Sequence, residues 1–179
     1  MVILIAGASH TGKTLLAQKL LEKLHYPYLS MDHLKMGLIR SGNTALTPMD
    51  DEQMTPYLWP IVREMIKTAV ENGQNLIVEG CYIPHRWTED FEPDYLEDIR
   101  CCWLILSHRY IAEHFADIQR YANAIENRLD DSDLDQQMLL QENAENLAQC
   151  EQHGCAYILV DTQYDVREDP ILELLNKEE

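Results

Sequence analysis

The fold is decided by the stretch Gly7-Ala8-Ser9-His10-Thr11-Gly12-Lys13-Thr14. It matches the pattern G-x-x-x-x-G-K-[ST], in which a curled loop points backbone N–H groups at the phosphates of a nucleoside triphosphate. An apolar run, Val2–Ala6, enters the loop, and an amphipathic helical pattern over residues 16–24 leaves it. We therefore expect all eight residues to bind the nucleotide, with Lys13 reaching the β- and γ-phosphates and Thr14 binding Mg²⁺.

Working outward from this loop, apolar runs without alternation recur along the chain, which is the pattern of strands buried on both faces of a parallel sheet. They are Val2–Ala6, Leu76–Val78, Cys101–Leu106 and Ala156–Val160, with a weaker fifth at Tyr26–Ser30. Helical patterns lie between them. Strands that alternate with helices predict an α/β fold with a doubly wound, five-stranded parallel sheet.

The helical patterns are strongest where apolar residues recur every three or four positions. One of them covers residues 58–69, with Thr55-Pro56 as its predicted start and Asn72-Gly73 as its stop. The others cover about 108–128, 134–153 and 169–175.

Two stretches fit the strand–helix alternation less well, residues 33–57 and about 120–134. In a compact fold, residues beyond the regular strand–helix alternation usually cover the active site. Within one domain, 1–179, we expect 33–57 to be an acceptor-binding insertion and 109–134 to be a lid region.

Charge and cysteine content restrict the partners of the protein. The 179 residues carry a formal net charge of −17, which disfavours nucleic acids and anionic membranes and leaves a small molecule as the expected partner. The five cysteines contain no CxxC pair, which indicates a reducing compartment, the cytoplasm. No segment has the length of a membrane span, and the apolar start lacks the basic region of a signal peptide.

Acidic residues follow the predicted strands, and ligands of open parallel sheets bind at the carboxyl ends of strands. Asp32, after the second strand, is the candidate general base that orients and deprotonates an attacking hydroxyl. Its alternative role is a helix cap for residues 33–39. Glu79, after the third strand, is a candidate contact to the hydrated magnesium ion or to the acceptor. The loop Thr162–Arg167, after the fifth strand, is expected to border the adenine ring.

Together these features resemble the small P-loop kinases, a group that includes adenylate, gluconate, shikimate and 2-phosphoglycerate kinases and chloramphenicol phosphotransferase. The segment Leu76–Pro84, with its Glu-Gly pair, is similar to the corresponding segment of 2-phosphoglycerate kinases. The resemblance implies the strand order 2-3-1-4-5. It also implies a lid whose arginines neutralise the transferring phosphoryl group, for which Arg120 and Arg128 are the candidates. Lys35, Arg63 and especially Arg40 and Arg86 are placed to meet an anionic acceptor.

The expected activity is ATP- and Mg²⁺-dependent phosphoryl transfer to a small metabolite, either a nucleotide or a phosphorylated or hydroxy acid. Adenylate kinase-like and 2-phosphoglycerate kinase-like acceptors both remain open, and the sequence does not determine the oligomeric state. The alternative is a nucleotide-dependent switch or ATPase that acts through a protein partner. A guanine-reading N-K-x-D motif is missing, since Asn176-Lys177-Glu178-Glu179 fails at its fourth position.

Overall fold

The computed structural model describes residues 1–121, 134–166 and 171–173. Five parallel strands form one sheet in the order β2-β3-β1-β4-β5. The predicted fold class and strand order are therefore confirmed. The strands are β1 (Val2–Ala6), β2 (Tyr28–Ser30), β3 (Leu76–Gly80), β4 (Ile99–Leu106) and β5 (Tyr157–Val160).

Helices cover both faces of this sheet. They are α1 (Lys13–Leu24), α2 (Met31–Arg40), α3 (Asp51–Glu71), α4 (Pro93–Leu96), α5 (His108–Tyr121) and α6 (Gln136–His153), with a 3₁₀ turn at Trp87–Asp90. Alternate residues of β1 belong to two separate cores: Val2 and Leu4 pack with α3, whereas Ile3 and Ile5 pack with α1 and α5. This two-sided burial is the reason that β1 is apolar throughout.

The register of the strands brings the functional segments to one edge. Ala6, the last residue of β1, lies opposite Gly80 of β3 and Trp103 of β4. Ser30, at the end of β2, lies opposite Glu79. The loops that follow β1, β2 and β3 therefore begin side by side at the carboxyl edge of the sheet.

One predicted helix start is wrong. Helix α3 begins at Asp51 rather than at Thr55, and both Pro56 and Pro60 lie inside it. Two acidic residues in its first turn, Asp51 and Glu52, suit the positive end of the helix dipole and favour the earlier start. Most of the stretch 33–57 is consequently helical, and only residues 41–50 connect α2 to α3.

The fifth strand is less buried than its apolar sequence predicts. Tyr157 is 39% exposed and Leu159 is 43% exposed, whereas Val160 is buried in the core with α1 and α5. The difference arises because β5 is the last strand of the sheet and is covered well on only one face. In the described ranges, no helix is both long enough and apolar enough to cross a bilayer.

Candidate functional site

The loop between β1 and α1 has the closed shape that a phosphate site requires. His10 and Gly12 have positive φ angles of 62° and 88°, which curl the chain back before α1 begins. The Lys13 ammonium group lies inside the curl, where its Nζ donates a hydrogen bond to the carbonyl oxygen of Ala8 at 2.6 Å. Lys13 is only 5% exposed, so it is held against the backbone where phosphates would enter. The loop thus supplies a charge, inward N–H groups and the positive end of α1 at one point.

Asp32 comes directly after β2, and Glu79 lies near the end of the neighbouring strand, β3. Asp32 lies in the first turn of α2, directly after β2, and is partly exposed. Because Ser30 is the N-cap residue of α2, the alternative role of Asp32 as a cap is wrong. Glu79 lies inside β3 next to β1 and is 1% exposed. The Asp32 carboxylate is therefore partly accessible to solvent, whereas the Glu79 carboxylate is buried at the carboxyl edge of the sheet.

The residues at this edge fit a hydrated magnesium ion. Thr14 is the second residue of α1 and is partly exposed, and Glu79 lies on the strand beside it. The Ser30 hydroxyl is buried and has no hydrogen-bond partner among the described residues. Mg²⁺ keeps several waters and is held mostly by one or two side chains and by substrate phosphates. This fits the absence, among the described residues, of any cluster of three metal-binding side chains.

Gly80 fixes the position of α2 and hence of Asp32. A Cβ atom built on Gly80 would lie 2.7 Å from the Cβ and 2.9 Å from the Cγ of Met31, closer than packed carbon atoms come. Met31 is the first residue of α2 and is fully buried. The absence of a side chain at Gly80 therefore lets α2 begin directly against β3.

We expect Gly80→Ala to lower the free energy of unfolding by about 1–3 kcal/mol, the usual cost of overpacking. The added methyl group must push α2 away from β3. Urea denaturation measures the loss. Gly37→Ala is the matched control, since Gly37 lies in α2 with nothing within 4 Å of the added Cβ. It should gain about 0.5–1 kcal/mol from helix propensity. Equal stability of the two variants would contradict the close approach of Met31.

A polar cluster that the sequence did not predict as a unit lies next to Asp32. Lys35, one turn further along α2, donates a hydrogen bond from Nζ to the Tyr82 hydroxyl at 2.6 Å. Tyr82 in turn donates to Asp51 Oδ1 at 2.7 Å. Burial and the Asp51 carboxylate raise the pKa of Tyr82, so its hydroxyl stays protonated. The preceding residue, Cys81, contacts the Ser9 hydroxyl of the phosphate loop at 3.7 Å, which places this cluster beside the loop.

Glu142 of α6 is a second residue that sequence reasoning missed. Its pKa is raised by burial first and by the Asp51 carboxylate second, and Lys13 acts in the opposite direction. The carboxyl group is partly exposed on α6. The signal in the sequence was its neighbour Asn143, a polar residue on an otherwise apolar face. Asn143 is 2% exposed, and its Oδ1 accepts a hydrogen bond from Leu106 N at 2.8 Å, which fixes α6 against β4.

The segment that follows β5 contacts the phosphate loop itself. The Tyr164 hydroxyl donates a hydrogen bond to the carbonyl oxygen of Thr11 at 2.9 Å. Two residues later, the carbonyl oxygen of Val166 accepts from Lys19 Nζ of α1 at 2.9 Å. Sequence reasoning predicted that this loop borders the adenine ring, and that remains a prediction. What the structure adds is a direct connection to the loop that binds phosphate.

The predicted arginines are spread more widely than the rest of the site. Arg40 is exposed at the last turn of α2, about 12 Å along the helix from Asp32 at 1.5 Å per residue. Arg86 is exposed and pairs with Glu89 at 2.6 Å. Arg63 pairs with Glu64 on α3.

Arg120, one of the two predicted lid arginines, lies in the last turn of α5 with its guanidinium 5.7 Å from the ring centre of Tyr121. Arg128 lies outside the described residues, and the acceptor and lid roles of these arginines stay predictions.

A phosphate loop after β1 with a buried lysine, a carboxylate directly after β2 and a 2-3-1-4-5 parallel sheet define the small P-loop kinases. The sequence profile of one family within this class, the chloramphenicol phosphotransferase-like proteins, matches residues 1–107. The match covers more than half of the chain, and the protein belongs to this family. No curated protein sequence matches the chain.

Solved structures with the same fold include several small-molecule kinases. Deoxyadenosine kinase from M. mycoides is 16% identical, with a TM-score of 0.56 over 99% of this chain and 98% of that one. Shikimate kinase from Aquifex aeolicus is 13% identical, with a TM-score of 0.51 over 98% and 94% of the two chains. A sugar kinase from Janibacter sp. HTCC2649 is 17% identical, with a TM-score of 0.52 over 98% and 92%. At these identities the likeness establishes the fold.

Proposed function

We propose that the protein transfers the γ-phosphoryl group of ATP, with Mg²⁺, to a hydroxyl group of a small molecule. The observation that carries this proposal is the placement of Lys13 and Asp32. The lysine lies inside the phosphate loop after β1, and the carboxylate lies in the first turn of the helix after β2. One binds the donor and the other is free to orient an acceptor, which are the two parts that phosphoryl transfer needs.

In the proposed reaction, Asp32 accepts the proton of the acceptor hydroxyl as its oxygen attacks the γ-phosphorus. The new bond joins that oxygen to phosphorus, the bond from phosphorus to the bridging oxygen breaks, and ADP leaves. Lys13 and the N–H groups of the loop stabilise the negative charge on the phosphates. Mg²⁺, with Thr14 and Glu79 as the residues that would hold it and its waters, would supply further neutralisation of that charge. Arg120 and Arg128 are proposed to do the same from the lid.

The acceptor is proposed to bind between α2 and the start of α3. Lys35, Tyr82 and Asp51 offer it a cation, a hydroxyl and a carboxylate within one hydrogen-bonded chain. Chloramphenicol, deoxyadenosine and shikimate, which the names of the family and of two similar structures contain, are different molecules that all carry hydroxyl groups. Nucleotides and phosphorylated or hydroxy acids, as in adenylate kinase-like or 2-phosphoglycerate kinase-like reactions, remain within this proposal. We place the reaction in the cytoplasm, as the cysteine content predicts.

Lys35→Met tests this placement of the acceptor. We expect the KM for the acceptor to rise about tenfold or more, because a charge-assisted hydrogen bond contributes about 1.5–3 kcal/mol. The KM for ATP should change by a much smaller factor, because Lys35 donates its hydrogen bond to Tyr82 and not to the phosphate loop. Steady-state kinetics with each substrate varied in turn measures both. Lys67→Met, which removes the same charge from α3 where Lys67 pairs with Glu92, is the control. A rise confined to the KM for ATP would place Lys35 at the donor instead.

The activity itself is tested by coupled measurement of ADP release over a panel of hydroxyl compounds. The panel contains nucleosides, nucleotides, sugars, hydroxy acids, phosphorylated acids and chloramphenicol, each with Mg-ATP. We expect slow ATP hydrolysis by the protein alone and a strong increase with the correct acceptor, since a kinase keeps water from the phosphoryl group until its acceptor binds. Mass spectrometry of the acceptor should show the added phosphoryl group. A wholly silent panel, with hydrolysis stimulated by a protein from cell extract, would support the switch instead.

A further inference from the structure

The hydrogen bond between Tyr164 and the phosphate loop connects residues far apart in sequence. The Tyr164 hydroxyl donates to the carbonyl oxygen of Thr11 at 2.9 Å, although the two residues are 153 positions apart. Thr11 is fully buried, and its own hydroxyl donates to the carbonyl oxygen of Ala8 at 3.0 Å. The peptide that follows Thr11 is therefore held from outside the loop, at the residue just before α1.

The same phenol occupies the space beside Gly12. A Cβ atom on Gly12 would lie 1.7 Å from the Tyr164 oxygen and 2.8 Å from its Cζ. Any side chain at this position would thus displace the phenol, in addition to the strain caused by the φ angle of 88°. The second glycine of the motif accordingly serves two purposes here: it permits the turn and it leaves room for Tyr164.

The direction of this hydrogen bond determines the direction of an N–H group. A trans peptide is planar, so the carbonyl of Thr11 and the N–H of Gly12 point in opposite directions. No peptide bond in the described part of the chain is cis. Because Tyr164 holds the carbonyl of Thr11 toward its own hydroxyl, the Gly12 N–H is turned away from Tyr164. In a phosphate loop, N–H groups turned into the curl bind the phosphates.

Tyr164 is itself fixed well enough to act in this way. Its ring lies 6.3 Å from that of Tyr110 on α5, measured between ring centres. Val166, two residues later, is buried in the core and is bonded through its carbonyl to Lys19 of α1. Tyr164 is 37% exposed as a whole residue. Desolvation nevertheless raises the pKa of its phenol, so the hydroxyl remains a donor at neutral pH.

We propose that Tyr164 is a positioning residue for phosphate binding, which holds the Thr11–Gly12 peptide with its N–H directed at the phosphates of the nucleotide. This inference rests on the proposed function only for the identity of the ligand. Tyr164 touches the loop and not the reacting atoms, so its effect should appear in the binding of any polyphosphate. It should be largely independent of the nucleoside and of the acceptor.

The test compares Tyr164→Phe with the native protein in the binding of Mg-ATP and of inorganic tripolyphosphate, measured by calorimetry or by NMR titration. We expect the Kd of both probes to rise by the same factor, about two- to tenfold, the worth of one neutral hydrogen bond. Tyr110→Phe, which removes a hydroxyl from the neighbouring ring, should leave both values unchanged. Unchanged binding by Tyr164→Phe would overturn the proposal.

Two further outcomes separate competing explanations. A loss confined to Mg-ATP would mean that Tyr164 contacts the nucleoside rather than the loop. If Tyr164→Ala weakens tripolyphosphate binding and Tyr164→Phe does not, the ring acts by packing and the hydroxyl has no role; either result overturns the proposal. Failure of the proposed function can be told apart from failure of this proposal. A native protein that binds ATP but phosphorylates no acceptor still allows its Kd values to be compared with those of Tyr164→Phe. A native protein that binds neither probe would overturn both.

Discussion

Replacement of Lys13 by alanine is expected to reduce turnover by about 10³-fold or more, as loss of a charge aimed at a developing anion does. In the structure, the ammonium group lies inside the phosphate loop and is hydrogen-bonded to Ala8. Within the described part of the chain its side chain makes no other hydrogen bond or ion pair, and burial of an ammonium group opposes folding. The variant should therefore fold as stably as the native protein while its affinity for ATP falls. ADP-release assays, ATP titration and urea denaturation measure the three quantities.

Lys67→Ala is the control for this experiment. It removes one positive charge from α3, where Lys67 pairs with Glu92 at 3.1 Å on another part of the molecule. If the loss of one positive charge alone weakened ATP binding and turnover, both variants would show the loss. A contact with the phosphates is lost only in Lys13→Ala. Normal ATP affinity and turnover in Lys13→Ala would refute the assignment of the loop.

Asp32→Asn is expected to lower kcat by about 10²–10⁴-fold, the usual contribution of a positioned general base. The amide keeps the size of the side chain and its place in the first turn of α2, but it cannot accept the proton of the acceptor hydroxyl. The Kd for ATP should stay within about twofold of the native value, because Lys13 and the loop hold the donor separately. Single-turnover kinetics with the identified acceptor would show the loss in the chemical step.

Asp94→Asn, an exposed substitution on α4, is the matched control and should behave as the native protein. The result that would reassign Asp32 is a collapse of ATP binding with little additional change in kcat. In that case the carboxylate would belong to the metal or nucleotide site, and another group would have to take the proton.

The fold was largely predictable because its strands leave a strong pattern. Buried runs such as Val2–Ala6 are apolar at every position, and the runs Val2–Ala6 and Cys101–Leu106 are each followed by a helical period. The prediction failed at the start of α3, where Pro56 suggested a boundary although the helix continues through it and through Pro60. The first-turn acids and the apolar contacts of Met54 and Leu58 with the core outweigh the missing N–H groups.

The site was predictable only where a motif or a strand end marks it. Lys13 could be placed because it belongs to the phosphate-loop motif, and Asp32 because it comes directly after a strand at the carboxyl edge. Tyr82 and Asp51 come together from separate parts of the chain, and their pairing depends on how α3 packs beside the segment that follows β3. No local pattern encodes such packing. Tyr164 shows the same limit, since its partner Thr11 lies at the other end of the sequence.

The central position of β1 has a consequence for biosynthesis. Val2 lies opposite Leu76 of β3 and Ile99 of β4, so β1 has no strand partner until β3 has been made and lacks its second until β4 has been made. At roughly 5–20 residues per second, the ribosome needs about 5–20 s to proceed from β1 to the end of β4. During that interval the most apolar strand of the sheet is exposed on a nascent chain, and short segments of this kind aggregate readily. The protein should therefore depend on chaperones most strongly while it is only partly translated.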